Sequence, residues 1–98
     1  MLNPLPENPE QPNRFRLYVV DRTAKSVTAY RNLKALCEER FPGRYEIEVV
    51  DLHENPGLAK RDNVVAIPTV VKIEPKPEKR VVGDLSNTER ASHGLSLA

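Results

Sequence analysis

Apolar positions along this chain alternate, turn helical, then alternate again. From Arg14 to Val20, Phe15, Leu17 and Val19 interleave with Arg16, Tyr18 and Val20, a period of two with both faces mostly apolar. A strand buried on both sides belongs at the centre of a sheet. Asp21-Arg22-Thr23 makes a short loop, with Thr23 or Ser26 able to cap a helix. That helix spans about Ala24 to Arg40: Val27, Tyr30, Leu33 or Lys34, Cys37 and Phe41 recur at three- and four-residue spacing, with Leu36 beside them. Pro42-Gly43 ends it. Tyr45 to Leu52 alternates again, with Tyr45, Ile47 and Val49 on one side and Glu46, Glu48 and Val50 on the other. Strand, helix and strand with short connections imply a parallel pair. Asn55 as cap and Pro56 at the first helical position start a short helix to about Arg61 or Asp62.

The most apolar run, Val64 to Ile73, is interrupted by Pro68. Proline donates nothing to a sheet ladder, so it fits only at the start of a strand, here Thr69 to Ile73. X-Pro bonds adopt the cis form far more readily than others, and Ile67-Pro68-Thr69 suggests such a proline. Glu74-Pro75-Lys76-Pro77-Glu78 is a stiff polar turn, and Lys79 to Val82 is the hairpin partner. Gly83-Asp84-Leu85-Ser86 breaks that strand, and Ser86 with Glu89 makes a capping box for a final helix. The order is βαβαββα, an α/β layout of the thioredoxin-like kind. Residues 1–13, with Pro4, Pro6, Pro9 and Pro12 among polar residues, read as a disordered tail before one domain at 14–98.

Composition narrows the function. Ninety-eight residues suffice for one small domain, and a formal net charge of +1 gives no electrostatic case for nucleic acid. No stretch approaches the roughly 20 apolar residues of a membrane span. No signal peptide opens the chain, and one cysteine cannot form an intrachain disulfide, so a cytoplasmic protein is expected.

Thioredoxin chemistry needs two cysteines two residues apart at the start of the first helix. That place reads Asp21-Arg22-Thr23-Ala24-Lys25-Ser26, which excludes dithiol exchange. Cys37 falls on the apolar side of the helix, as a core thiol would. A redox or glutathione-binding alternative would rely on Ser26 and the backbone before Pro68. His53 and His93 lack a second ligand at metal spacing. Asp51, Asp62 and Asp84 sit at element ends, where aspartate turns or caps the chain. No glycine-rich phosphate loop occurs, and Lys60-Arg61 and Lys79-Arg80 suit a solvated face. No cofactor is expected, and a binding surface is a more economical use of the fold than catalysis.

Several segments in order carry a more specific resemblance. They are Leu17-Tyr18-Val19, Phe41-Pro42-Gly43-Arg44-Tyr45, Val50-Asp51-Leu52, Asn55-Pro56 and Leu58-Ala59. Ala66-Ile67-Pro68-Thr69, Pro75, Pro77, Gly83-Asp84-Leu85-Ser86, Glu89-Arg90 and Gly94-Leu95 follow. From about Arg16 to Leu97 the chain resembles the KaiB family of bacterial circadian clock proteins. The resemblance implies a non-enzymatic regulator that binds the ring-shaped ATPase KaiC, with KaiA or the sensor kinase SasA as further partners. It also implies two folds for one sequence. One is a βαββααβ ground state, often tetrameric; the other is a thioredoxin-like monomer that binds KaiC. The thioredoxin-like form is the one the pattern favours here. The implied contact residues are Glu46, Glu48, Asn63 and Lys72. The implied switch positions are Pro68, Pro75, Pro77, Gly83 and Asp84, the prolines being candidates for slow isomerisation.

The chain also departs from the clock pattern. Val20-Asp21-Arg22 stands where cyanobacterial members have Ala-Gly-Asn. Glu46, Glu48 and Asn63 stand where they carry alanine, lysine and lysine, and a reversed charge changes partner choice. Glu46 and Glu48 equally suit the solvent face of an edge strand. Ala91-Ser92-His93 replaces an apolar stretch in the last helix, which would loosen its packing and the dimer or tetramer it supports. These departures fit a relative paired with its own KaiC-like ATPase in a non-photosynthetic bacterium, serving timing or stress adaptation.

Overall fold

A computed structural model describes residues 12–97. The elements are β1 (Asn13–Val19), α1 (Ala24–Arg40), β2 (Tyr45–Asp51), α2 (Gly57–Arg61), β3 (Thr69–Glu74), β4 (Lys79–Val82) and α3 (Thr88–Gly94). This is the βαβαββα order read from the sequence. Most of the expected tail, residues 1–11, lies outside the described residues. Asn13 is already part of β1, where its backbone N–H donates to Arg44 O at 3.0 Å. The strand also stops one residue early, leaving Val20 exposed.

The sheet order is β2-β1-β3-β4. β1 is therefore internal, parallel to β2 and antiparallel to β3, as its doubly apolar pattern requires. Its odd residues Phe15, Leu17 and Val19 pack with Ala29, Leu33, Leu36 and Cys37 of α1 and with Val70, Leu85, Ala91 and Leu95. Its even residue Tyr18 joins Val50, Leu52 and Val71 on the other face, with Leu58 and Ala59 of α2 against them. The helices thus cover both faces of the sheet, but the five-residue α2 covers far less than the 17-residue α1. No helix among the described residues is long and apolar enough to cross a membrane.

Several local expectations are corrected. The buried stripe of α1 is Ser26, Ala29, Leu33, Leu36 and Cys37, whereas Val27 and Tyr30 are exposed and Lys34 faces solvent. Leu33, Leu36 and Cys37 face the core as expected, and only the first two turns differ, where the small Ser26 and Ala29 take the buried positions in place of Val27 and Tyr30. Thr23 is its cap, accepting from Ser26 N at 3.2 Å. Asn55 does not cap α2: its amide donates to Asp51 O at 3.5 Å, and the helix begins after Pro56, whose own backbone is already helical. Asn87, not Ser86, caps α3 by accepting from Arg90 N at 3.0 Å. The Ser86 N–H turns back to the Asp84 carboxylate at 3.0 Å. Asparagine is as good an N-cap as serine, so the signal was shifted by one residue.

Pro68 precedes β3 with the Ile67-Pro68 bond cis, as the sequence suggested, and the bonds before Pro75 and Pro77 are cis as well. The polar substitution in α3 is accommodated: buried Ser92 accepts from Arg40 Nη2 at 3.3 Å, and Arg40 Nη1 donates to Leu97 O at 2.8 Å. Gly94 lets α3 lie against β4, since a Cβ there would come within 2.4 Å of Val81 Cγ2. Gly94→Ala gains up to about 1 kcal/mol of helix propensity but forces a stiff β-branched neighbour aside, at about 1–3 kcal/mol. The urea midpoint should fall; a raised midpoint would contradict the close approach.

Candidate partner-binding face

Parallel register sets Arg14 opposite Glu46 and Arg16 opposite Glu48. Because β-strand side chains alternate, all four point to the face that α2 covers only in part. Arg14 Nε lies 3.5 Å from Glu46, and its Nη1 lies 3.8 Å from Glu74 of β3. Arg16 Nε donates to Glu48 at 2.8 Å. These pairs are solvated, so each contributes little stability, but together they fix the orientation of the charges.

Deeper on the same face, the Tyr18 hydroxyl donates to Asp62 Oδ2 at 2.6 Å. Asp62 also accepts from Arg61 Nε at 2.9 Å and Nη2 at 3.3 Å. The bonds from Arg61 and Tyr18 hold the Asp62 carboxyl down at about 2. Burial, and then the neighbouring Asp62, push the Tyr18 phenol up. Arg80 of β4 closes the group: its Nη2 donates to Asp62 O at 2.9 Å and its Nη1 to Asn63 O at 3.0 Å. A guanidinium thus satisfies two carbonyls just past the C-terminus of α2, where a positive charge also suits the helix dipole. Asn63 takes the left-handed backbone conformation, φ +57°.

The structure brings Glu46, Glu48 and Asn63 onto this one face, with both glutamates about 60 % exposed. Lys72 is not among them. It is 5 % exposed and pairs with Phe15 across β1 and β3, so it is buried on the face packed by α1 and not on the face of the glutamates. Pro68 and Gly83 meet at one end of β3, where Gly83 N donates to Pro68 O at 2.8 Å. Asp84 sits beside them, its carbonyl accepting from Asn32 Nδ2 at 2.8 Å and its carboxyl lowered by Ser86. Pro75 and Pro77 lie in the β3–β4 turn, at the other end of the strand. Arg14, Arg16, Tyr18, Asp62 and Arg80 were missed as site residues. The pairing of Arg14 and Arg16 with the glutamates was available from the parallel register, once the strand order was known.

The thioredoxin-type site holds no comparable chemistry. Ser26 is 4 % exposed and bonded to Thr23, so the small-thiol reading loses its residue. Cys37 is fully buried, and burial pushes its thiol up to about 12, far from a thiolate at neutral pH. Asp51 turns the chain by accepting from the backbone N–H groups of Asp21 and His53 at 3.1 and 2.9 Å. His53 Nδ1 lies 2.7 Å from Asp21 Oδ1, which raises the imidazole pKa. Among the described residues no three His, Cys, Asp or Glu side chains gather as a metal site.

The family model for the KaiB domain matches residues 16–97. The chain belongs to the KaiB family. It is 43 % identical over 83 residues to the circadian clock oscillator protein KaiB of Microcystis aeruginosa, covering 85 % of this chain and 80 % of that one. To KaiB of Synechococcus elongatus it is 40 % identical over 90 residues, covering 92 % and 88 %. Among solved structures, the N-terminal domain of Synechococcus elongatus SasA matches with a TM-score of 0.72 at 21 % identity, covering 95 % of this chain and 87 % of that one. Mitochondrial thioredoxin 3 of Saccharomyces cerevisiae matches with a TM-score of 0.66 at 18 % identity, covering 90 % and 81 %. These likenesses give this KaiB-family chain the thioredoxin-like fold that its strand and helix order implied.

The bonds from Arg61 and Tyr18 to Asp62 set a pH dependence. The Asp62 carboxyl is lowered in the folded chain from its ordinary 3.8 to about 2. Its stabilising contribution is therefore complete above the unfolded value and is lost as pH falls through about 4 to 2. Tyr18→Phe should cost about 1.5–3 kcal/mol at neutral pH and make that acid limb of the urea midpoint shallower, the Arg61 bonds keeping the rest. An unchanged midpoint and an unchanged limb would rule out the bond as a stabilising link.

Proposed function

We propose that this chain is a non-enzymatic regulatory binding protein of the Kai type, and that its open sheet face contacts a KaiC-like ring ATPase. The observation that carries this reading is the gathering of Glu46, Glu48 and Asn63 on one uncovered face, held by Arg14, Arg16 and Arg80. A fixed array of charges selects partners through complementary charge and suppresses wrong ones through repulsion. Its glutamates select a partner unlike that of the clock proteins, consistent with a dedicated ATPase in timing or stress adaptation. A KaiA-like protein or a sensor kinase is a further partner on this reading, and the cytoplasm is its site of action.

The reading extends to two forms of the chain. Gly83 holds φ +116°, a conformation that L side chains rarely adopt, and its N–H anchors the loop to Pro68. Asp84 fixes the following turn through Ser86. Gly83→Ala strains this arrangement by about 1–3 kcal/mol, and Asp84→Arg removes the turn acceptor. Both substitutions should move the balance between the thioredoxin-like form and a second, oligomeric form. Light scattering after gel filtration and the amide NMR spectrum report it. If mass and spectrum both stay unchanged in both variants, these residues do not tune such a balance.

Native mass spectrometry with the same organism's KaiC-like ATPase, in ATP and in ADP, tests the partner. A complex that depends on the nucleotide is expected, with affinity lowered about tenfold or more by Glu46→Lys. No complex with either nucleotide would contradict the partner, and a complex indifferent to Glu46→Lys would contradict the face.

A further inference from the structure

Beside Tyr18 the open face sinks into a cavity of about 260 Å³, far more than the roughly 30 Å³ share of a single water. Its lining includes the guanidiniums of Arg16, Arg61 and Arg80, the carboxylates of Asp62 and Glu78, and the aliphatic side chains of Val71 and Ile73. Three cations to two anions line it, and Glu48 of the acidic β2 edge pairs with Arg16 from outside.

Glu78 is only ion-paired, its Oε2 lying 3.6 Å from Arg80. The acceptors of Asp62 are committed, both oxygens being engaged by Arg61 and Tyr18. The donors are not. A guanidinium carries five N–H groups on three nitrogens. The bonds described use Nε and Nη1 of Arg16, Nε and Nη2 of Arg61, and both Nη atoms of Arg80. The third nitrogen of each has no acceptor among the described residues. The cavity therefore offers donors in excess, around a space wide enough for a side chain.

We propose that this cavity receives a carboxylate side chain of a protein partner. The guanidiniums would hold the carboxylate by charge-assisted bonds, while its methylene stem lies on Val71 and Ile73. A lysine or arginine entering the same space would meet three like charges and an Asp62 carboxylate already engaged. The inference rests on reading this face as a partner surface and adds a demand on that partner: an acidic residue for the cavity, next to basic residues opposite Glu46 and Glu48.

NMR titration of the full chain tests it, with an acetylated, amidated hexaglutamate peptide, its hexaglutamine counterpart and inorganic phosphate as probes. Hexaglutamate should shift the Nε–H signals of Arg16, Arg61 and Arg80 saturably, and hexaglutamine should not. Arg61→Gln, at a side chain 65 % exposed, should weaken hexaglutamate binding about tenfold. Lys34→Gln, on the far side of the sheet, should leave it unchanged. The inference is overturned by absence of shifts at the three arginines, or by equal weakening in Arg61→Gln and Lys34→Gln, which would mean diffuse attraction. It is also overturned if phosphate shifts these signals and hexaglutamate does not, which would give the cavity to phosphoryl groups. Saturable, Arg61-dependent binding of hexaglutamate without any ATPase complex would uphold the cavity's chemistry and sink the ATPase as its user.

Discussion

The hydrogen bond from Tyr18 to Asp62 is what the second half of the chain is built around. Tyr18 sits on the central strand, 2 % exposed, with a hydroxyl that would be costly to bury without a partner. Asp62, just past the end of a short helix that buries no residue fully, supplies the acceptor. A helix of five residues cannot hold itself in water. It stays on the sheet because Leu58 and Ala59 meet the apolar cluster, Tyr18 binds Asp62, and Arg80 binds the carbonyls of Asp62 and Asn63. Through these contacts β1, α2 and β4 become one surface, though 44 residues separate Tyr18 from Asp62 and 18 separate Asp62 from Arg80.

The surface that results has both signs of charge in fixed places. Along β2 the glutamates face outward against Arg14 and Arg16, and toward β4 the guanidiniums gather around a cavity. Compensated charge of this kind gives little long-range steering but strong discrimination at contact, because a partner must match the pattern as well as the net sign. On the other face α1 and α3 bury the sheet, and Lys72 is buried there with them. The short α2 thus leaves open a polar region of the sheet, and function is expected there rather than at the cysteine-free start of α1.

Much of the architecture was legible in local sequence. Period-two alternation marked β1 and β2, and Pro68 marked the start of β3, both from patterns a few residues long. Where the reading slipped, a neighbour in space decided. The buried face of α1 depends on which residues are small enough to meet the sheet, so Ser26 and Ala29 displaced Val27 and Tyr30. Asn87 took the cap from Ser86 because Asp84 had already claimed the Ser86 N–H. Lys72 looked like a surface lysine until β3 was placed beside β1 with its register. Asp62 and Arg80 resembled ordinary end and surface charges, since nothing within several residues of either announces its partner. The face, unlike the strands, is a property of pairings across the fold.

Hydrogen exchange of the chain, alone and with the same organism's KaiC-like ATPase, tests the central claim most directly. Slowed exchange gathered in β2 and over Arg61–Asn63, with α1 unchanged, is the result predicted for recognition through the open face. Slowed exchange confined to α1 and α3, or none at all in the presence of the ATPase, would contradict it.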